Sequence, residues 1–163
     1  MNDFIGTWLL VGTFSENGQF EILEDIEEYR RIYEAWLIAE DYTNLDKLLN
    51  AEGLQLTINE NGTFTESKIG NPQVEWFDAE GISDANVTTF DGLYKIFDNR
   101  AFLTVEGLSD WQKFTDSDQI RLDDGDTKIC DSLRIVGGNL IRTVSVITDE
   151  LYTTRVILSY QKV

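Results

Sequence analysis

Hydrophobic and polar positions recur along the chain with two different periods. Thr7 to Phe14 is a first apolar run rich in β-forming residues. From about Ile22 to Tyr42 the spacing is helical. Ile22, Ile26, Tyr29, Tyr33, Trp36 and Leu37 fall on one face, and Glu24, Asp25, Glu27, Glu28, Arg30, Arg31 and Glu34 fill the other. That pattern predicts an amphipathic helix. Leu45, Leu48 and Leu49 predict a shorter helical piece, with Gly53 as its stop. The helical insert thus covers about residues 22–50.

After Gly53 the period changes to two. Leu54, Leu56 and Ile58 alternate with Gln55, Thr57 and Asn59, and Asn61-Gly62 predicts a hairpin turn into a return strand from Thr63 to Ser67. Further strands are predicted at 73–77, 87–97, 101–105, 111–114, 119–122, 128–136, 140–147 and 151–160. Turn signals at Asp98-Asn99, at 123–126 and at Gly137-Gly138-Asn139 separate them. Such a long meander of short strands tends to close on itself, because closure removes exposed edges. The predicted fold is mainly β: a closed antiparallel up-and-down barrel, with its helical insert between the first two strands. No repeat or linker divides the chain, so residues 1–163 read as one domain.

Charge narrows the partners. Thirty acidic residues against 13 basic ones give a formal net charge of −17. Nucleic acid and anionic membranes would repel that surface. A basic protein partner, for which the chain would serve as inhibitor or nucleic-acid mimic, is a reading that charge permits. Cys130 is the only cysteine, so no internal disulfide forms, and it reads as inert packing in a strand. Met1-Asn2-Asp3-Phe4 lacks the pattern of a signal peptide, and the expected location is the cytoplasm. Asn61-Gly62-Thr63 and Asn86-Val87-Thr88 fit a glycosylation pattern that would matter only after secretion.

The chain contains no histidine. Imidazole acid–base catalysis, Ser-His and Cys-His machinery and most zinc sites are excluded. Phosphate loops and dinucleotide fingerprints are absent too. The acidic run Asp116, Asp118, Asp123, Asp124 and Asp126 lacks the ordered spacing of a calcium loop and reads as turn chemistry. No catalytic residue, cofactor or metal is assigned.

Phe4-Ile5-Gly6-Thr7-Trp8 near one end, and Gly138 through Val163 at the other, resemble the opening and closing segments of the lipocalin and fatty-acid-binding-protein (calycin) superfamily. The helical insert falls where that family places its helix-turn-helix. The resemblance implies a barrel holding a small, mostly apolar ligand. It also implies closure of one barrel end by Gly6, Trp8 and a late arginine, Arg155, stacked on the indole. There are departures. The family's Arg-x-Tyr pair is here Arg155-Val156-Ile157, and Leu133 stands where a second arginine is frequent.

The expected ligand contacts are Arg142, Arg155, Tyr33, Trp36, Tyr94 and Trp111. Arg142 shares strand parity with Leu140, Val144 and Val146. If that face points inward, Arg142 is a buried cation needing a ligand anion or an internal carboxylate; if it points outward, Arg142 is solvated. Trp76, Phe77, Phe90, Phe97 and Phe102 either line the cavity or fill it. The leading functional expectation is noncatalytic binding of a hydrophobic or amphipathic small molecule in the barrel. The rivals are the acidic interaction module and a barrel cyclase or isomerase using Asp, Glu or Tyr.

Overall fold

The structure is a computed structural model that describes residues 2–40, 42–73, 76–78, 81–83, 89, 91–105, 111–113, 120–123 and 127–163. Side chains are described over 2–40, 42–70, 89, 91–104 and 127–163. Asp116, Asp118, Asp124, Asp126, Asn86 and Phe90 lie outside the described residues, as do the side chains of Trp76, Phe77, Trp111 and Asp123.

The elements run β1 (Gly6–Gln19), α1 (Ile26–Ile38), a one-turn 3-10 helix (Leu45–Lys47), β2 (Leu49–Asn50), β3 (Glu52–Ile58) and β4 (Thr63–Gln73). There follow β5 (Trp76–Asp78), β6 (Gly81–Ser83), β7 (Asp91–Phe97), β8 (Arg100–Val105), β9 (Trp111–Lys113) and β10 (Ile120–Asp123). The last three are β11 (Thr127–Val136), β12 (Asn139–Thr148) and β13 (Tyr152–Lys162).

Eight strands close a ring in the order β12-β13-β1-β3-β4-β7-β8-β11, and β11 pairs back onto β12. All these pairings are antiparallel. β10 pairs β11 on the edge that β8 also uses, β9 pairs β10, β2 lies beside β1, and β5 pairs β6 separately. This is the closed barrel with a helix after its first strand that the alternation and the resemblance imply.

The hydrophobic interior draws on strands from every side of the ring: Trp8, Leu10, Leu56, Phe64, Leu133 and Leu158 belong to one cluster. Helix α1 begins later than its apolar stripe. Asp25 accepts hydrogen bonds from the amides of Glu27 and Glu28 and so sets the first turn at Ile26. The expected second helix is only one turn long. Leu49 is already in β2, and Gly53 lies in β3 at φ +99° rather than stopping a helix.

α1 packs on the outer wall of the barrel, not over its end. Tyr33 and Leu37 meet Phe102, Cys130 and Ile147, from β8, β11 and β12. Phe102 is in register with exposed Lys95 and alternates with the interior residues Ala101 and Leu103, which fixes its face as the outer one. The chain then runs on across the outside of β1, where Lys47 Nζ lies 6.0 Å from the Phe14 ring centroid. β12 is therefore buried on both faces from Leu140 to Ile147.

Candidate functional site

Arg142 projects inward from β12 and is 1% exposed. Its Nε donates to Asp131 Oδ1 at 2.9 Å and its Nη2 to Asp131 Oδ2 at 2.6 Å, a two-point clasp from the neighbouring strand. Its Nη1 donates to Glu66 Oε1 at 3.0 Å. Glu66 sits on β4, on the opposite side of the ring, so the guanidinium ties the two walls together. Burial acts to lower the Arg142 pKa, but the charges of Asp131 and Glu66 outweigh it and hold the group well above its ordinary value. The Tyr160 hydroxyl is buried beside this guanidinium. Burial pushes the Tyr160 pKa up.

The side chains around this cluster are packed. Leu56, Leu140, Val156, Leu158 and Tyr160 are wholly buried. A ligand-sized void beside them would leave their surfaces accessible. Among the described residues, the barrel centre is filled by protein and its cation is met by protein carboxylates.

Arg155 lies on the other side of the wall. Its register partners are Glu16 and Ser145, on the outer face. The guanidinium stacks 4.1 Å from the ring centroid of Trp36, donates to the Trp36 carbonyl at 2.5 Å and donates to Ser145 Oγ at 3.0 Å. Arg100 does the same one strand group away, donating to the Ile38 carbonyl at 2.5 Å and to Ser132 Oγ. Both arginines thus meet carbonyls at the C-terminal, partially negative end of α1. Arg134 clasps Glu40 just beyond that end, at 2.6 and 2.8 Å. Burial would raise the Glu40 pKa, but hydrogen bonds from Arg134 and Tyr42 and the charge of Arg100 bring it below its ordinary value.

These positions correct the expected closure. Trp8 is buried and its Nε1 donates to the Phe4 carbonyl at 2.8 Å, but the cation over its ring is Lys162, at 5.5 Å. Arg155 is seven residues along β13 from that pairing, roughly 23 Å at strand rise. Gly6 adopts φ +138°, and a Cβ there would stand 2.7 Å from Lys162 Cε, so the glycine is what lets Lys162 approach. Tyr94 completes this end: its hydroxyl donates to the Asn59 carbonyl at 2.6 Å and accepts from Asn2 Nδ2.

The six expected ligand contacts therefore do not converge. Arg142 is inside, while Arg155, Trp36 and Tyr33 form the seam between helix and outer wall. Tyr94 closes an end, and the Trp111 side chain lies outside the described residues.

What does open is a cleft of about 830 Å³ between β1, β3 and β4. β1 pairs β3 through Leu9 and Gln55, then pairs β2 through Gly12 and Asn50, with an irregular step between them. On the other side of β3, Glu52 pairs Gln73 but Leu54 pairs Lys68, so β4 carries extra residues, Ile69 to Pro72, opposite a single turn of the ladder. Gly70 takes φ +67° in that bulge. Pro72 has no N–H to offer a ladder. Leu9, Val11, Ile69 and Val163 give the cleft its apolar wall, core residues Leu10 and Leu54 its floor, and Glu52, Gln161 and Lys162 its polar rim. Sequence periodicity does not reveal this cleft, although Gly53, Gly70 and Pro72 mark the strands that open it.

No group of three or more metal-ligating side chains is found among the described residues. No helix among them is long and apolar enough to cross a membrane. Comparison with protein-family models finds no match, and comparison with curated protein sequences finds none either. Among solved structures the chain is similar to the ileal bile acid-binding protein of zebrafish, crystallised with cholic acid. The two share 15% sequence identity and a TM-score of 0.38, over 98% of each chain.

Proposed function

We propose that the protein binds a small hydrophobic or amphipathic molecule without catalysis, and that the ligand occupies the cleft between β1, β3 and β4. One observation carries this reading: the barrel wall parts there, and an 830 Å³ space lined by Leu9, Val11, Ile69 and Val163 reaches down to the core residues Leu10 and Leu54. An apolar ligand laid against Leu9, Val11 and Ile69 leaves water at about 25 cal/mol per Å². Lys162 at the rim supplies a cation for an acidic head group, a role that Arg142, already held by two carboxylates, is not free to take. Pockets of this size, apolar with a few polar groups, are the usual form of small-molecule sites.

Titration with an environment-sensitive apolar dye, competed by fatty acids, retinoids and tetrapyrroles, tests the assignment. Ile69 is 45% exposed, so Ile69→Glu leaves the core intact and is expected to weaken dye binding at least tenfold. Leu93→Ser, at an exposed position on β7 away from the cleft, is expected to leave binding unchanged. Dye binding that survives Ile69→Glu, or its absence in the native protein, overturns the reading.

A further inference from the structure

The apolar stripe of α1 does not end where the barrel ends. Tyr33 and Leu37 are buried against the wall, but Ile26 is 74% exposed and Ile22, in the segment leading into the helix, is 68% exposed. Together with Leu23, Tyr29 and Leu151 they line a cleft of about 390 Å³ at the corner between the N-terminus of α1 and the β12–β13 turn. The cleft is held in shape from beneath. Tyr29 packs edge-on against Phe20 and Tyr33 at 6.2 and 5.7 Å, and its hydroxyl donates to the Glu150 carbonyl. The Phe20 amide donates to the Leu151 carbonyl at 2.9 Å, which joins the two sides of the corner.

The surroundings are strongly acidic. Of the charged residues that line the cleft, Asp149 and Glu150 are acidic and Arg30 is basic; Glu21, Glu24, Asp25, Glu27 and Glu28 are close neighbours along the chain, against Arg31. Arg31 engages Glu28 and Lys128 lies near Glu150, which offsets two of these carboxylates and leaves an acidic excess. Two aliphatic side chains this exposed, one in α1 and one in the segment leading into it, beside an excess of carboxylates, form a surface with an apolar centre and a charged edge.

We infer that this corner is a docking surface for a cationic amphipathic segment of a protein partner. One aliphatic side chain of the partner fills the cleft between Ile22, Ile26 and Tyr29, and flanking lysines or arginines meet the acidic rim. Charge complementarity selects this occupant: the rim repels acidic peptides and anionic lipid surfaces, and it attracts a basic chain at long range before the apolar contact forms. The surface is separate from the β1–β3–β4 cleft and does not depend on what that cleft binds.

A general attraction of cations to a chain of net charge −17 must be told apart from this specific contact. The experiment therefore uses three designed peptides: one of leucine and lysine in helical register, one with alanine in place of leucine, and one with glutamate in place of lysine. Binding is followed by fluorescence anisotropy and by the amide shifts of the labelled protein. The leucine–lysine peptide is expected to bind, with shifts centred on residues 22–30 and 149–151, and to weaken as salt rises. The alanine–lysine peptide is expected to bind about tenfold more weakly or worse, and the leucine–glutamate peptide not at all. Ile22→Ser with Ile26→Ser removes exposed side chains and is expected to weaken the leucine–lysine peptide by the same factor, with the thermal midpoint unchanged. Equal binding of the two lysine peptides, indifference to the double substitution, or shifts centred elsewhere overturns the inference.

Discussion

At the residue scale, Arg100, Arg134, Arg142 and Arg155 serve as internal partners, and each is explained by what it touches. Arg155 is a case where type was legible and partner was not. The family resemblance implied that Arg155 stacks on an indole, and it does stack, but on Trp36 of α1 rather than Trp8. The alternation of β13 could not distinguish the two, because Arg155 is buried whether it faces the interior or the seam beneath the helix. Its replacement should act through that seam. Arg155→Ala removes the contact with the Trp36 ring and the donors to the Trp36 carbonyl and Ser145 Oγ, and is expected to cost about 1–3 kcal/mol in urea unfolding. Arg155→Lys is expected to recover little of this, since an ammonium lacks the planar fork that stacks and donates at once. Native stability in Arg155→Ala would mean that the seam does not depend on its guanidinium.

At the scale of elements, α1 was legible as a helix, but the surface that it covers was not. Its amphipathic stripe specifies that one face is covered, and nothing in a periodicity says by which surface. The outer wall won because β8, β11 and β12 present Phe102, Cys130 and Ile147 outward, while Arg100 and Arg155 stand where the helix C-terminus needs donors. Glu40 extends this attachment to β11 through Arg134. Because its folded pKa lies below the unfolded value, its contribution is present above the ordinary carboxylate pKa of about 4.3 and is lost as pH falls through the folded value. Glu40→Gln should therefore lower the urea midpoint at neutral pH. The gap between variant and native protein should close as pH is brought from about 7 towards about 3. A gap that stays constant over that range would show that the Glu40–Arg134 pair is not what the substitution removes.

At the scale of the whole molecule, closure was legible and the content of the barrel was not. Alternating strands, hairpin turns and an early helix specify a ring, but a ring can be hollow or full. The signal for fullness was present in β11, where Asp131 shares parity with Ile129, Leu133 and Ile135, and in β4, where Glu66 shares it with Phe64. A carboxylate on an apolar strand face calls for a cation, and Arg142 on β12 is that cation. Its own parity stayed ambiguous because β12 is buried on both faces, so apolar residues occupy both sets of alternate positions.

The consequence is a prediction about how the barrel coheres. Arg142 bridges β12, β11 and β4 at once, and removing it leaves Asp131 and Glu66 without their shared cation in a packed interior. Arg142→Met is expected to cost about 3–5 kcal/mol, the range for breaking a buried ion pair from one side. Most of that cost is the stranded charge rather than the lost attraction, so a second substitution should give some of it back. Asp131→Leu combined with Arg142→Met is expected to be more stable than Arg142→Met alone, in urea melts followed by tryptophan fluorescence. If the two losses instead add, Asp131 is not stranded when Arg142 goes, and the barrel is held by its apolar packing without help from the clasp.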